Sequence, residues 1–261
     1  MSNSLMAVFL DIDGTLVTVS EGPFSDDIAE IETAHQRGHR IFLCTGRSLG
    51  YIPPEFQEAP WVDGIVAGAG THVLLAGKTI YHKWIAPNLL HDIIAFYQQN
   101  KKGCIFEGEN DMYALNPGSF DMIHDYYHII ETPDDFETKY KGAVITKLTM
   151  EGEKTREERN FLENHFRLNA FENYFEGIIL GESKSKGMNI IIEAIGIPRE
   201  NTIAIGDSEN DLDIIRAAGI GIAMGNACAE LKAAAREITG NCGKGGVGQA
   251  IKKFVLTDDG D

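Results

Sequence analysis

The 261-residue chain has 39 acidic against 23 basic residues, a formal charge of -16, and is 43% hydrophobic and 24% charged. That make-up is an ordinary globular one, with apolar residues enough for one large domain or two modest ones. The acidity argues against nucleic acid and anionic membrane as partners, because both demand a basic footprint. Four scattered cysteines without a C-x-x-C pair suggest neither a disulfide framework nor a cysteine zinc site.

The opening "MSNSLMAVFLDIDG" has no basic segment leading into a signal-length apolar stretch, and no apolar run approaches the roughly 20 residues that span a bilayer, so a cytoplasmic location is expected. "AVFL" (7–10) predicts a buried strand. "SDDIAEIETAHQRG" (25–38) predicts a helix with Ile28, Ile31 and Ala34 on one face and Gly38 as its stop, and "RIFLC" (40–44) a second strand. "GAGTHV" (68–73) reads as a turn, since it lacks the third glycine of a dinucleotide fingerprint. From about Trp84 to Ser183 the texture changes: the helices "PNLLHDIIAFYQQNKK" and "TREERNFLENHF" are separated by paired short strands such as "CIFEG" and "MYALN". The alternation then returns, with "KGMNIIIEAIGI" (186–197) helical, "TIAIG" (202–206) a strand, "SENDLDIIRAAG" (208–219) a helix and "IGIAM" (220–224) a strand, before a frayed "TDDGD". Strands alternating with helices predict the α/β class, here a doubly wound, mostly parallel Rossmann-like sheet core with an inserted α+β domain. The core takes residues 1–82 and 184–261 and the insert 83–183, a normal domain size.

Parallel strands deliver whatever follows them to one edge of the sheet, where ligands of such sheets bind. After "AVFL" comes Asp11-Ile12-Asp13-Gly14-Thr15, after "RIFLC" comes Thr45-Gly46-Arg47, and after "TIAI" comes Gly206-Asp207-Ser208-Glu209-Asn210-Asp211. Each alone is ordinary turn and helix-cap chemistry; three in succession, all rich in oxygen ligands, are not. Two carboxylates about 4 Å apart repel by roughly 4 kcal/mol at an effective dielectric of 20, so Asp11 and Asp13 call for a cation or a proton between them. Hard oxygen ligands without a histidine pattern favour Mg2+ over zinc or copper.

"DIDGTLV", "CTGR", "SKGMNIIIEAIGI" and "IAIGDSENDLDII" resemble, in order, the four motifs of the haloacid dehalogenase (HAD) superfamily of phosphohydrolases. "AGIGIAMGNACAELKAAAREIT" and "GGVGQAIKKF" resemble the continuation seen in its Cof-type subfamily, whose large α/β cap lies between the second and third motifs. The resemblance implies that Asp11 is a nucleophile forming an aspartyl-phosphate, and that Mg2+ is held by Asp11, by the backbone carbonyl of Asp13 and by Asp207. Asp211 and Asn210 would support metal and phosphate. Asp13, its proton affinity raised by neighbouring anions, would serve as general acid and then base. Thr45 and a lysine would bind the phosphoryl oxygens, and the pattern places that lysine directly before the glycine that opens the helix, which selects Lys186 and leaves Lys184 solvated. Gly14, Gly46 and Gly206 would let backbone N–H groups approach phosphate; Arg47 either contacts the phosphate or lies on the surface of the following helix.

By the same resemblance the expected activity is a Mg2+-dependent phosphomonoesterase acting on a small phosphorylated metabolite, a sugar phosphate first among them, by a monomer or weak homodimer. The cap would cover the site, exclude water and set specificity. A phosphomutase would use the same chemistry but pass the phosphoryl group to a second hydroxyl. A phospho-aspartate signalling module would share the acidic pocket, but it lacks the second Asp and needs only about half the chain. "GNCGKGGVGQA" (240–250) fails as a nucleoside-triphosphate loop, because Ile238 stands where the first glycine belongs and Gly245 replaces Ser or Thr. His124 and His128, with Asp121, are read as a polar helix face rather than a metal site, and Tyr126, Tyr127, Phe171, Tyr174 and Phe175 as core of the insert.

Overall fold

The structure is a computed structural model that describes residues 5–18, 22–117 and 127–257. In chain order it runs β1 (Ala7–Leu10), α1 (Ser25–Gln36), β2 (Arg40–Cys44), α2 (Pro54–Gln57), β3 (Gly64–Ala67), β4 (His72–Leu75) and β5 (Lys78–His82). Then come α3 (Pro87–Gln99), β6 (Cys104–Gly108), β7 (Met112–Leu115), β8 (His128–Ile130), β9 (Ile145–Glu151), α4 (Arg156–Leu162), β10 (Phe166–Ala170) and β11 (Tyr174–Ile179). It ends with α5 (Lys184–Ile195), β12 (Thr202–Gly206), α6 (Leu212–Ala217), β13 (Ile220–Ala223), α7 (Ala229–Ala234), β14 (Glu237–Ile238) and α8 (Gly246–Phe254). Packing divides the chain into two compact units. Met1–Gly46, Pro54–Tyr81 and Ser183–Asp261 form the first, Arg47–Pro53 and His82–Glu182 the second. The stretch 47–53, which the sequence reading leaves in the core, thus packs with the insert.

The first unit is an eight-stranded sheet in the order β14-β13-β12-β1-β2-β3-β4-β5. The ladders from β14 through β3 are parallel and β3 pairs with β4 antiparallel. β1, β3 and β12 are buried along their whole length, as strands covered on both faces must be. α1 packs on α8, while α5, α6 and α7 form a second row. The apolar stripe of α1 explains its place: Ile31 and Ala34 are fully buried, although Ile28 is only half-buried.

The second unit is a six-stranded sheet in the order β10-β11-β9-β6-β7-β8, antiparallel except for β7 with β8. One face closes on α3 and α4 through Leu90, Ile93, Ile94, Tyr97, Phe106, Leu148 and Phe175, giving this unit its own core. "TREERNFLENHF" is helical only to Leu162, because Phe166 begins β10. Tyr127 and Phe175 are core, whereas Phe171 is exposed and stacks on Tyr174 at 4.6 Å. His128 sits against Asp111 at 3.4 Å. Asp121, His124, Tyr126 and the last four residues, 258–261, lie outside the described residues. Among the described residues no helix is long and apolar enough to cross a membrane.

Candidate active site

β1 runs between β12 and β2, so the residues after these three parallel strands leave from one edge of the first unit. Asp11 continues β1, its N–H donating to the Ile205 carbonyl at 3.0 Å. Thr45 continues β2, its N–H donating to the Val66 carbonyl at 2.9 Å, and Asp207 follows β12. Carboxylate oxygens of Asp11, Asp207 and Asp211 lie within 4.8 Å of one another. Asp11, Thr45 and Asp211 are buried, Asp207 is half-buried and Asp13 is exposed on the turn that follows Asp11.

The lysine among these groups is Lys184, which corrects the assignment of Lys186. Lys184 is fully buried, and its Nζ donates to Asp211 Oδ1 at 2.6 Å, Asp11 Oδ1 at 2.7 Å and Asn210 Oδ1 at 3.0 Å. Lys186 Nζ instead donates to the Tyr81 hydroxyl at 2.8 Å. The cause is the helix start. α5 begins at Lys184 rather than at Gly187: Ser183 Oγ accepts the Lys186 N–H at 3.2 Å and Asp213 Oδ2 accepts the Ser185 N–H at 2.8 Å, which satisfies the first turn. The buried stripe then reads Lys184, Gly187, Met188, Ile191, Ile192, and Lys186 lies roughly 200° around the helix from it. A Cβ on Gly187 would strike Val66, so the glycine lets α5 lie close on β3 and brings Lys184 to the strand ends. The motif pattern offers Lys184 only as the lysine set aside for Lys186, and it does not point to the helix-capping Asp213. The 184/187/188/191 spacing was the signal for the lysine.

Asp11 and Asp211 share the Lys184 ammonium here, and a third carboxylate, Asp207, lies beside them. Burial pushes the Asp11 carboxyl well above its ordinary range; Lys184 counters this, and Asp211 and Asp207 reinforce it. Asp207 is pushed up to about 7, by burial first and by the Asp211 carboxylate next, with Asp13 adding to the effect. Burial opposes the charge on Lys184, but Asp11 and Asp211 outweigh it and raise its proton affinity. Asp211 Oδ2 accepts the N–H groups of Asp207 at 3.1 Å and Ser208 at 3.2 Å, so this side chain braces its own loop. Asp207 Oδ1, by contrast, is buried without a hydrogen-bond partner. An orphaned carboxylate oxygen, an excess of negative charge and a donor set of hard oxygens together fit a small divalent cation.

The glycines play different parts. Gly14 has φ of +78°, and a Cβ there would collide with the Asp207 carboxylate; a Cβ on Gly206 would collide with Asp211. The space beside Gly206 is therefore filled by a side chain. A Cβ on Gly46 would come 3.3 Å from Asn210 Nδ2, which places Asn210 beside the turn after Thr45. Arg47 belongs to the second unit, where Nη1 donates to the Tyr51 carbonyl at 3.3 Å and the guanidinium lies 5.2 Å from that ring's centroid. At the glycine-rich segment, Asp27 Oδ1 accepts the Gly248 N–H at 2.7 Å, so the first turn of α8 is already supplied with a carboxylate.

A family model described as haloacid dehalogenase-like hydrolase matches residues 8–251. The chain is similar to the 5-amino-6-(5-phospho-D-ribitylamino)uracil phosphatase YcsE of Bacillus subtilis, 42% identical over 95% of both chains. It is also similar to a phosphoglycolate phosphatase of Methanothermobacter thermautotrophicus, 41% identical over 96% of this chain and 99% of the other. Among solved structures it resembles a HAD subclass IIB sugar phosphatase, with a TM-score of 0.82 and 28% identity over 97% of this chain and 100% of the other. With the match running from the strand before Asp11 into α8, the chain belongs to the haloacid dehalogenase-like hydrolase family.

Proposed function

We propose that this phosphatase hydrolyses a small phosphorylated metabolite, with sugar phosphates as the substrate class, through an aspartyl-phosphate on Asp11. The observation that carries the reading is the clustering of Asp11, Asp207 and Asp211 at the ends of β1 and β12, with Lys184 paired to Asp11 and Asp211. The names of the relatives support it, since all three act on a phosphate carried by a small organic molecule.

Mg2+ would be held by Asp11, Asp207 and the Asp13 carbonyl, with Asp211 in support, and when bound it screens the phosphate dianion from the carboxylates. An Asp11 carboxylate oxygen attacks phosphorus and the ester P–O bond breaks. The leaving oxygen takes a proton from the Asp13 carboxyl. Water then attacks the same phosphorus and gives a proton to Asp13, which frees inorganic phosphate and returns the Asp11 carboxylate. Lys184 Nζ, the Thr45 hydroxyl and the Gly46 N–H hold the phosphoryl oxygens, and Asn210 orients the lysine. The second unit contains none of the carboxylates with assigned roles, so substrate selection is assigned to it.

The test is release of inorganic phosphate from sugar phosphates, nucleotides, flavin mononucleotide and pyridoxal phosphate, with and without Mg2+, with acid quenching to trap a hydroxylamine-sensitive phosphoenzyme. Mg2+-dependent release through a trapped intermediate is expected. Isomerised sugar phosphate without free phosphate would identify a mutase, and a persistent phosphoprotein without turnover a signalling module; either overturns the reading.

A further inference from the structure

The segment 224–228, between β13 and α7, is bonded to three other loops of the first unit. Met224 N–H donates to the Gly206 carbonyl, Cys228 N–H to the Asp207 carbonyl and Gly225 N–H to the Gly240 carbonyl, each at 2.9 Å. The Asn226 side chain adds two bonds of a different kind. Its Nδ2 donates to the Gly14 carbonyl at 2.8 Å, and its Oδ1 accepts the Cys242 N–H at 2.7 Å. One carboxamide thereby ties the turn after Asp13 to the glycine-rich segment that failed as a nucleotide loop. Only a side chain with a donor and an acceptor on one short stem makes both bonds: aspartate lacks the donor, and serine lacks the second reach.

Gly14 is where such a tie matters. It holds a left-handed conformation that no Cβ enforces, and the Asp207 carboxylate fills the space where its side chain would be. Its N–H is fixed by the Val17 carbonyl at 2.7 Å, and its carbonyl by Asn226. The peptide between Gly14 and Thr15 is also tied through the Thr15 N–H, which donates to the Ile12 carbonyl at a long 3.3 Å; the Asn226 bond, at 2.8 Å, is the shorter of these two anchors, and losing it loosens the turn that follows Asp13 beside Asp207. Asn226 is itself solvent-exposed, so burial does not impose this geometry.

We propose that Asn226 is a positioning residue, whose carboxamide locks the Gly14 turn so that Asp13 and Asp207 keep one arrangement for metal binding and proton transfer. The assignment rests on the phosphatase reading above. The experiment compares full-length wild type, Asn226→Ala and the nearly isosteric Asn226→Asp in three measurements: melting temperature in chelator, the rise in melting temperature caused by Mg2+ alone, and kcat and KM for an aryl phosphate. Asn226→Ala is expected to melt with the wild type in chelator, to show a smaller Mg2+-induced rise, and to lose roughly 10- to 100-fold in kcat, the usual cost of removing an outer-shell partner. KM is expected within about two-fold of wild type, as for a group that acts on the transition state rather than on ground-state binding.

Asn226→Asp keeps the acceptor for Cys242 but cannot donate to Gly14, and should be as impaired as the alanine variant. If Asn226→Ala does not fold, the isosteric variant carries the comparison. Wild-type kcat and Mg2+ response in Asn226→Ala, a fall in melting temperature alone, or recovery in Asn226→Asp would each overturn the proposal. If the wild type itself releases no phosphate, it is the phosphatase reading that fails. The Mg2+-induced rise then still decides on Asn226, because equal rises in variant and wild type overturn its role and a smaller rise in the variant supports it.

Discussion

Two lysines are buried among carboxylates in this chain, one in each unit, and they are built differently. Lys147, on β9, lies 2.5 Å from Glu176 Oε1 on β11 and 3.2 Å from Glu107 Oε1 on β6, with the Thr149 hydroxyl donating to Glu107 Oε1 at 2.7 Å. All four residues are within paired strands, where the ladder fixes their register, as in ordinary cross-strand pairs. The groups around Lys184 come instead from strand ends, a turn and the first residue of a helix. Each cluster leaves one buried carboxylate oxygen without a partner, Glu107 Oε2 and Asp207 Oδ1, so an orphan atom does not separate them. Charge does. Each lysine pairs with two carboxylates, but a third, Asp207, crowds the pair on Lys184, and both Asp11 and Asp207 are held above the ordinary carboxylate range. The strand-end cluster keeps an electrostatic cost that a bound cation would relieve, as the proposed function requires.

The largest effect should come from Asp11→Asn, which keeps the shape and removes the oxygen proposed to attack phosphorus. Turnover is expected to fall by at least about 10³-fold, in the range seen when a covalent nucleophile is lost, with the circular dichroism spectrum unchanged. Steady-state kinetics on folded, uncontaminated protein decide it, and retention of a few per cent of activity would remove Asp11 from its role. Next, Lys184→Ala should cost roughly 10²- to 10³-fold in kcat, as removal of one charge-stabilising donor does. Lys186→Ala, whose ammonium is bonded to the Tyr81 hydroxyl and not to the carboxylate cluster, should stay within about threefold of wild type. Equal losses in the two variants would return the phosphoryl contact to Lys186.

That pair of variants also marks how far the sequence could be read. The strands after which Asp11, Thr45 and Asp207 stand were legible, because short apolar runs bounded by turn residues in a parallel sheet have one reading. The lysine was not, because the motif was anchored on Gly187 as the helix start, whereas Ser183 and Asp213 cap the helix three residues earlier. Capping by Asp213 comes from another helix, so no local pattern announces it. The antiparallel pair β3 and β4 is hidden for a related reason: "GAGTHV" reads as a turn alone, although its last residues already begin β4. The packing of 47–53 with the second unit depends on long-range contacts, such as a Ser48 Oγ bond to Met112 Sδ at 3.8 Å, that spacing along the chain does not encode.

Lys147→Ala tests the other half of the comparison. It leaves Glu107 and Glu176 in a buried sheet without their cation, which costs on the order of 3–5 kcal/mol. At about 2–4 °C per kcal/mol for a chain of this size, the melting temperature should fall by roughly 6–20 °C. Lys184→Ala should be destabilised as well, but under the proposed function Mg2+ would replace the missing charge there, whereas none is proposed to bind the Lys147 cluster. Calorimetry with and without Mg2+ is therefore expected to show recovery in Lys184→Ala and none in Lys147→Ala. Recovery of both by the metal would erase the distinction between the two clusters.

The smallest effect is in pH, and its sign follows from Asp207. In the metal-free folded protein this carboxyl is pushed up to about 7, against about 3.9 in an unfolded chain. Between those values the folded state holds a proton that the unfolded state has released, so stability falls as pH rises from about 4 to about 7 and is flat above that range for this group. Asp11, raised in the same direction, adds to the slope. Lys147 is pushed upward from the ordinary lysine range, so its own proton does not contribute in this window. Under the proposed function Mg2+ would bind the deprotonated carboxylates, and its stabilising effect should grow over the same interval as protons cease to compete. Melting temperatures from about pH 5 to 8 in chelator, for wild type and for Asp207→Asn, isolate the contribution. The wild type should lose stability relative to the variant as pH rises toward about 7, and the two should run parallel beyond it. Parallel curves across the whole range would mean that Asp207 is already ionised at pH 5, and that Lys184 neutralises the strand-end cluster as fully as Lys147 does its own.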